Sequence, residues 1–162
     1  MSKKNLGANP AFELPHVKTS GLREIHRLDG ALLLMHFAFR GLVAEADLYL
    51  HRHGLSRVHH RVLYAIARSD GLSVGGLLEL LGVSKQALHK PLKQLQDEGY
   101  VVAQRDPAQH RTKLLRLTAK GARTENAASK RERKAIGEAL KTVKPSHRSA
   151  WFDVMEVLAR RA

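Results

Sequence analysis

Two helix starts and two helix stops crowd into the stretch LSVGGLLELLGVSKQALHKPLKQLQDEG, and they leave this part of the chain few local folds. Ser73 and Ser84 have hydroxyls that take up unpaired N–H groups at a helix start, while Gly82 and Gly99 suit the left-handed turn that ends one. After the first serine, Val74, Leu77, Leu78 and Leu81 recur at i, i+3, i+4 and i+7. After the second, Leu88, Leu92 and Leu95 recur at i, i+4 and i+7. Both are helical periods. The spacing predicts a short helix, a tight glycine turn and a second amphipathic helix, a helix-turn-helix. The second helix turns Gln86, Lys90 and Lys93, with His89 at their flank, away from its apolar side. Ammonium and amide groups on an outer face suit phosphates and base edges.

The charge balance points the same way. Across 162 residues, 28 Lys and Arg stand against 15 Asp and Glu, a net +13, and such an excess implies a polyanionic partner, nucleic acid before an anionic membrane surface. The chain has no cysteine, which excludes disulfides, thiolate catalysis and thiol redox sensing. The start MSKKNLG has no apolar run behind its lysines, so no signal peptide is expected and the protein is placed in the cytoplasm, with the nucleoid. The most apolar stretch, 31–50, is interrupted by His36, Arg40, Glu45 and Asp47 and reads as a packed helix, not a membrane span.

In chain order, residues 1–21, with two prolines and no sustained period, read as an extended or partly disordered arm. Over 22–54, Ile25, Leu28, Leu32, Met35, Phe39, Leu42, Ala46 and Tyr49 alternate spacings of 3 and 4, a heptad-like seam in one long helix. Such a seam serves a dimer contact or a domain core, and the apolar residues off it, among them Leu33, Phe37, Val43 and Leu48, favour both. Residues 55–121 hold the helix-turn-helix. They begin with a helix capped by Ser56, with Val58, Val62, Leu63 and Ile66 inside, and end in a hairpin. Its strands are Tyr100 to Ala103 and Thr112 to Leu117, turning at Asp106-Pro107, and Arg105, Arg111, Lys113 and Arg116 face the single acid Asp106. Thr118 caps a last helical region over 122–162, broken at Pro145. Its first half is expected to be solvated, and Ile136, Leu140, Trp151, Val154, Met155 and Leu158 need something to pack on. The fold class is therefore mainly α with a small β-hairpin wing, a winged helix-turn-helix flanked by long N- and C-terminal dimerisation helices.

The run LSVGGLLELLGVSKQALHKPLKQLQDEGYVV, followed by a wing and LLRLTAKG, resembles the MarR family of bacterial transcription regulators over about 56–121. The resemblance implies a homodimer, built from the terminal helices, that binds double-stranded DNA and acts as a ligand-responsive repressor. Each protomer would place its recognition helix in the major groove and its wing on the adjacent minor groove. Carried over by position, Ser84, Lys85, Gln86, His89, Lys90 and Lys93 become helix contacts and Arg111 the wing-tip arginine. From charge and position, Arg105 and Lys113 join the phosphate contacts. The resemblance further implies a small organic ligand in a cleft between the dimer helices and the DNA lobe. Two departures stand out. Gln109 occupies the place where the family usually has an aspartate two residues before the wing arginine, and Pro91 sits inside the recognition helix, where it removes a backbone hydrogen bond and tends to kink.

Rival readings are weaker. Gly71-Leu72-Ser73-Val74-Gly75 matches G-x-S-x-G, but a nucleophile elbow needs a strand before it and a sheet to project the serine, whereas a helix and a turn precede it here. With no paired-carboxylate site, Walker loop or GxGxxG either, no enzyme and no cofactor is read. His51, His53, His59 and His60 lack the spacing of a zinc finger, and no metal site is assigned. His59 and His60 are expected to line a ligand cleft or lie in solvent, and His36 and Arg40, one turn apart, are candidates for an anionic ligand. Two other functions compete with the regulator: an architectural coat protein without a specific operator, and a module that uses its winged domain to bind another protein.

Overall fold

The structure is a computed structural model that describes residues 28–69, 71–105 and 113–161. The elements run α1 (Asp29–His51), α2 (Arg57–Ala67), β1 (Leu72–Ser73), α3 (Val74–Leu81), α4 (Lys85–Asp97), β2 (Val101–Arg105), β3 (Lys113–Leu117), α5 (Ala119–Lys141) and α6 (Pro145–Ala159). The chain divides into two units within α1, one ending at His36 and the other starting at Phe37. The expected arm, Ile25, the Asp106-Pro107 turn and Arg111 lie outside the described residues.

The caps form as their side chains require. Ser73 accepts from the N–H of Gly76 at 3.0 Å, Ser84 from Ala87 at 3.2 Å and Thr118 from Gly121 at 3.0 Å. Ser73 is thus occupied as a helix cap. Gly82 closes α3 in the left-handed region, with φ at 61°. The buried leucines of α3 and α4 meet α2 and the sheet in one core, where Leu50, Leu55, Leu63, Leu77, Leu95, Val101 and Leu115 are fully buried. Burying a side chain of that size stabilises the fold by roughly 1.5–3 kcal/mol.

β2 and β3 form the hairpin, antiparallel from Val101 opposite Leu117 to Arg105 opposite Lys113. A third strand joins it. β1 pairs with the other edge of β3, Leu72 opposite Leu115, giving the sheet order β1-β3-β2. That strand is too short to show a period, and the sequence had suggested only a turn there. Gly71 makes the entry feasible: its φ is +102°, and a Cβ there would come within 3.0 Å of the Leu114 side chain. Gly121 matters more. A Cβ at that position would lie 2.1 Å from the carbonyl oxygen of Tyr100, so the start of α5 sits directly on the backbone leaving α4.

The structure bears on three expectations. Of the α1 seam, Ala46 is buried and Tyr49 packs against the core, while Leu28, Leu32, Met35 and Phe39 are exposed in the single chain; Val43 and Leu50, off the seam, complete the buried face. The first half of α5 is not solvated all round. It packs on α2 and buries Gly121, Thr124, Glu125, Ala128 and Ser129, a face of small and polar residues that carries no strong apolar signal. Pro91 lies inside α4, which is assigned as one helix from Lys85 to Asp97.

Candidate nucleic-acid interface

With Leu88, Leu92 and Leu95 turned inward, α4 presents Ser84, Lys85, Gln86, His89, Lys90 and Lys93 outward, and all six are exposed. The hydroxyl of Ser84 is spent on its own helix, so a contact from this residue competes with the cap. The Lys93 ammonium sits 2.8 Å from Asp97 with both side chains more than half exposed, a pair weak enough to yield to a phosphate. Lys85, His89, Lys93 and Gln96 rim a groove of about 350 Å³ floored by Leu88, Leu92 and Val74. At the far end of the described strands Arg105 and Lys113 are cross-strand neighbours, both exposed, so the wing carries two cations side by side. The outer face of the second helix and the tip side of the hairpin are therefore both basic, the arrangement that a polyanion needs.

The histidines separate. His36 and Arg40 lie on the exposed part of α1, with the Arg40 guanidinium 5.8 Å from the Phe37 ring. Neither lines a described cavity. His59 and His60, far from lying in solvent, are both buried. His60 lines a cavity of about 550 Å³ with Phe39, Leu42, Tyr64, Leu80 and Leu81, and with Arg57, Arg61, Arg68 and Glu132 at its polar wall. Behind that wall a buried chain of bonds runs into α5. Ser129 donates to Glu125 at 2.6 Å, so its oxygen accepts from Nε2 of His60 at 3.2 Å, and Glu125 also takes Arg68 at 2.8 Å. Nδ1 of His60 lies 3.3 Å from Glu132. Arg57 pairs with Asp47; the hydrogen bond and then the charge of that carboxylate raise its pKa against the cost of burial. Arg61 donates to the Leu81 carbonyl at 3.4 Å and has no carboxylate partner among the described residues. Among those residues no three His, Asp or Glu side chains are grouped to hold a metal ion, and no helix is long and apolar enough to cross a membrane.

Arg57, Arg61, Arg68 and Glu132 escaped the sequence reading, as did Gln94. Each is an ordinary polar residue on a helix, and only the packing of α2 on α5 brings four of them to one wall.

A helix-turn-helix with its polar recognition face exposed, backed by a three-stranded sheet with a basic tip, defines the class of winged helix-turn-helix DNA-binding proteins. Known proteins agree. The model of the MarR family matches residues 53–112. The HTH-type transcriptional regulator PetP of Rhodobacter capsulatus is 36% identical over 124 residues, covering 76% of this chain and 75% of its own length. Among solved structures, the MarR family transcription regulator SP03579 superposes with a TM-score of 0.71 at 19% identity, over 83% of this chain and 89% of that one. CouR from Rhodococcus jostii, in its complex with p-coumaroyl-CoA, gives a TM-score of 0.66 at 22% identity, over 81% and 92%. The chain belongs to the MarR family and is a DNA-binding transcriptional regulator.

Proposed function

We propose that the protein is a homodimeric, ligand-responsive repressor that recognises a two-fold-related operator in double-stranded DNA. The observation that carries this reading is the outer face of α4, where Gln86 and His89 stand among Lys85, Lys90 and Lys93. The amide and imidazole read base edges while the ammonium groups hold phosphates. Arg105 and Lys113 add phosphate contacts from the wing, and Arg111 enters the narrow groove. A second copy of the chain covers the apolar face of α6, on which Trp151, Met155 and Leu158 recur at helical spacing and no residue is buried. Two-fold symmetry then sets the half-sites about one helical turn, ~10 bp, apart.

The cavity beside His60 supports the ligand response. Its apolar lining accepts a hydrophobic body, and Arg61 offers a cation to an acidic end. A bound ligand changes DNA affinity only by distinguishing the DNA-competent shape from the incompetent one. Of the histidines considered, His60 is the one that lines this cavity.

Enrichment of random duplexes by the purified protein at two salt concentrations tests the reading. A two-fold motif that survives the higher salt supports it. Featureless retention that collapses with salt would indicate a coat protein, and no retention at low salt would indicate a protein-binding module.

A further inference from the structure

His59 is the third residue of α2, and Ser56 is the N-cap of that helix. The side chain at this place usually reaches back to the N-cap amide as a Glu or Gln carboxyl or amide oxygen. Here an imidazole does it: the Ser56 N–H donates to Nδ1 of His59 at 3.0 Å. A backbone amide can only donate, so Nδ1 is the bare nitrogen and Nε2 carries the proton. Nε2 then donates to Oε1 of Gln94 in α4 at 3.0 Å. With its oxygen engaged, Gln94 donates its two amide protons elsewhere, to the Gly54 carbonyl at 3.2 Å and to Glu98 at 2.8 Å. Each proton direction follows from the one before it. The chain of bonds starts at a backbone amide and ends on the C-cap of α4, and it crosses from the α1–α2 corner to the recognition helix.

We propose that His59 and Gln94 are positioning residues for DNA binding. The ring, fixed in one tautomer by the cap of α2, sets the seating of α4 and so the aim of Lys90 and Lys93, one turn before and one residue before Gln94. The leucines of α4 hold it against the core but are non-directional, and apolar contact alone leaves a helix free to slide or roll by a fraction of a turn. A buried ring with both nitrogens bonded in a fixed sense removes that freedom. This inference rests on the DNA-binding reading of α4 for its consequence, though not for its geometry.

Gln94→Met separates the latch from the cap, because it keeps the length of the side chain and leaves Ser56 and His59 bonded. His59→Gln does the reverse, restoring a serine–glutamine capping box while removing the ring. Four measurements apply: affinity for the enriched duplex, hydrogen exchange of α4 and α2 amides in the free protein, the ring nitrogen shifts of His59, and thermal unfolding. Gln94→Met is expected to weaken affinity about fivefold, as loss of the part-buried bond to His59 would, the bonds to Gly54 and Glu98 that go with it being exposed and weak. It should speed exchange in α4 over α2 while shifting the thermal midpoint little, and the double variant should lose no more affinity than the larger single loss. The wild-type ring should show a protonated Nε2 and a bare Nδ1. Unchanged α4 exchange in Gln94→Met, additive losses in the double variant, or a proton on Nδ1 overturns the latch. If the wild-type protein retains no duplex, the functional reading fails, and the exchange and nitrogen shifts decide the latch by themselves.

Discussion

α4 and α6 are both amphipathic, and their fates differ completely. In α4 the apolar face is gone from the surface, with Leu88, Leu92 and Leu95 at 3%, 7% and 0% exposure, whereas in α6 Trp151, Met155 and Leu158 remain at 38%, 39% and 38%. The same periodic signal in sequence therefore has two meanings. α4 finds its partners in its own chain, and α6 presents a face that one chain leaves uncovered. An exposed apolar face of that kind marks an interaction surface, and the proposed dimer is the natural use for it.

Truncation breaks or confirms the contrast most strongly. Leu95→Ala empties a site in the middle of the core and is expected to cost about 2–5 kcal/mol of unfolding free energy. Leu158→Ala, measured by denaturant titration at a concentration where the chain is monomeric, should cost under about 1 kcal/mol. Equal losses would mean that α6 is packed in the monomer after all.

Glycines in α5 give the next largest effect. At Gly121 an added methyl group meets the Tyr100 carbonyl, and at Gly137 it meets nothing within 4 Å. Gly121→Ala should lower stability by roughly 1–3 kcal/mol through overpacking, while Gly137→Ala should raise it by about 0.4–1 kcal/mol. Thermal unfolding of the two variants checks the sign of each.

Charge on the uncovered face has little effect on the fold and a large effect on assembly. Met155→Asp should leave the helical signal of the monomer intact and shift sedimentation from dimer to monomer, weakening DNA binding as avidity is lost. On α4 the smallest effects separate roles. Lys93→Ala should weaken all duplexes alike and lower the log–log salt slope by about 0.9, whereas Gln86→Ala should relax preference at a single base pair. Identical behaviour of the two variants would remove the assignment of phosphate and base contacts.

The winged helix-turn-helix was legible because its signals are local. Ser73, Gly82 and Ser84 punctuate helices within a few residues of where they act, and the leucine periods carry the burial. Elements that depend on distant pairing were harder to read. β1 exists only because β3 lies beside it, and the buried face of α5 is made of Thr124, Glu125, Ala128 and Ser129, a set that would look solvent-facing by composition and in which Glu125 and Ser129 bond each other and residues of α2 and its cap. The long seam of α1 shows the limit of periodicity, since spacing identifies a stripe without saying what occupies the other side. Gln86, His89, Lys90 and Lys93 were read from the helical projection that places them outward, and Ser84 and Lys85 from the family resemblance. The arginines around the cavity, and Gln94 against His59, acquire meaning only when α2, α4 and α5 come together.

The central claim, that two copies of α4 read two half-sites, is tested most directly by a hydroxyl-radical footprint of the protein on its enriched duplex. Two protected patches on one face of the duplex, centred about one helical turn (~10 bp) apart and related by the two-fold axis of the motif, are predicted. A single patch, or uniform protection that spreads with concentration, would contradict it.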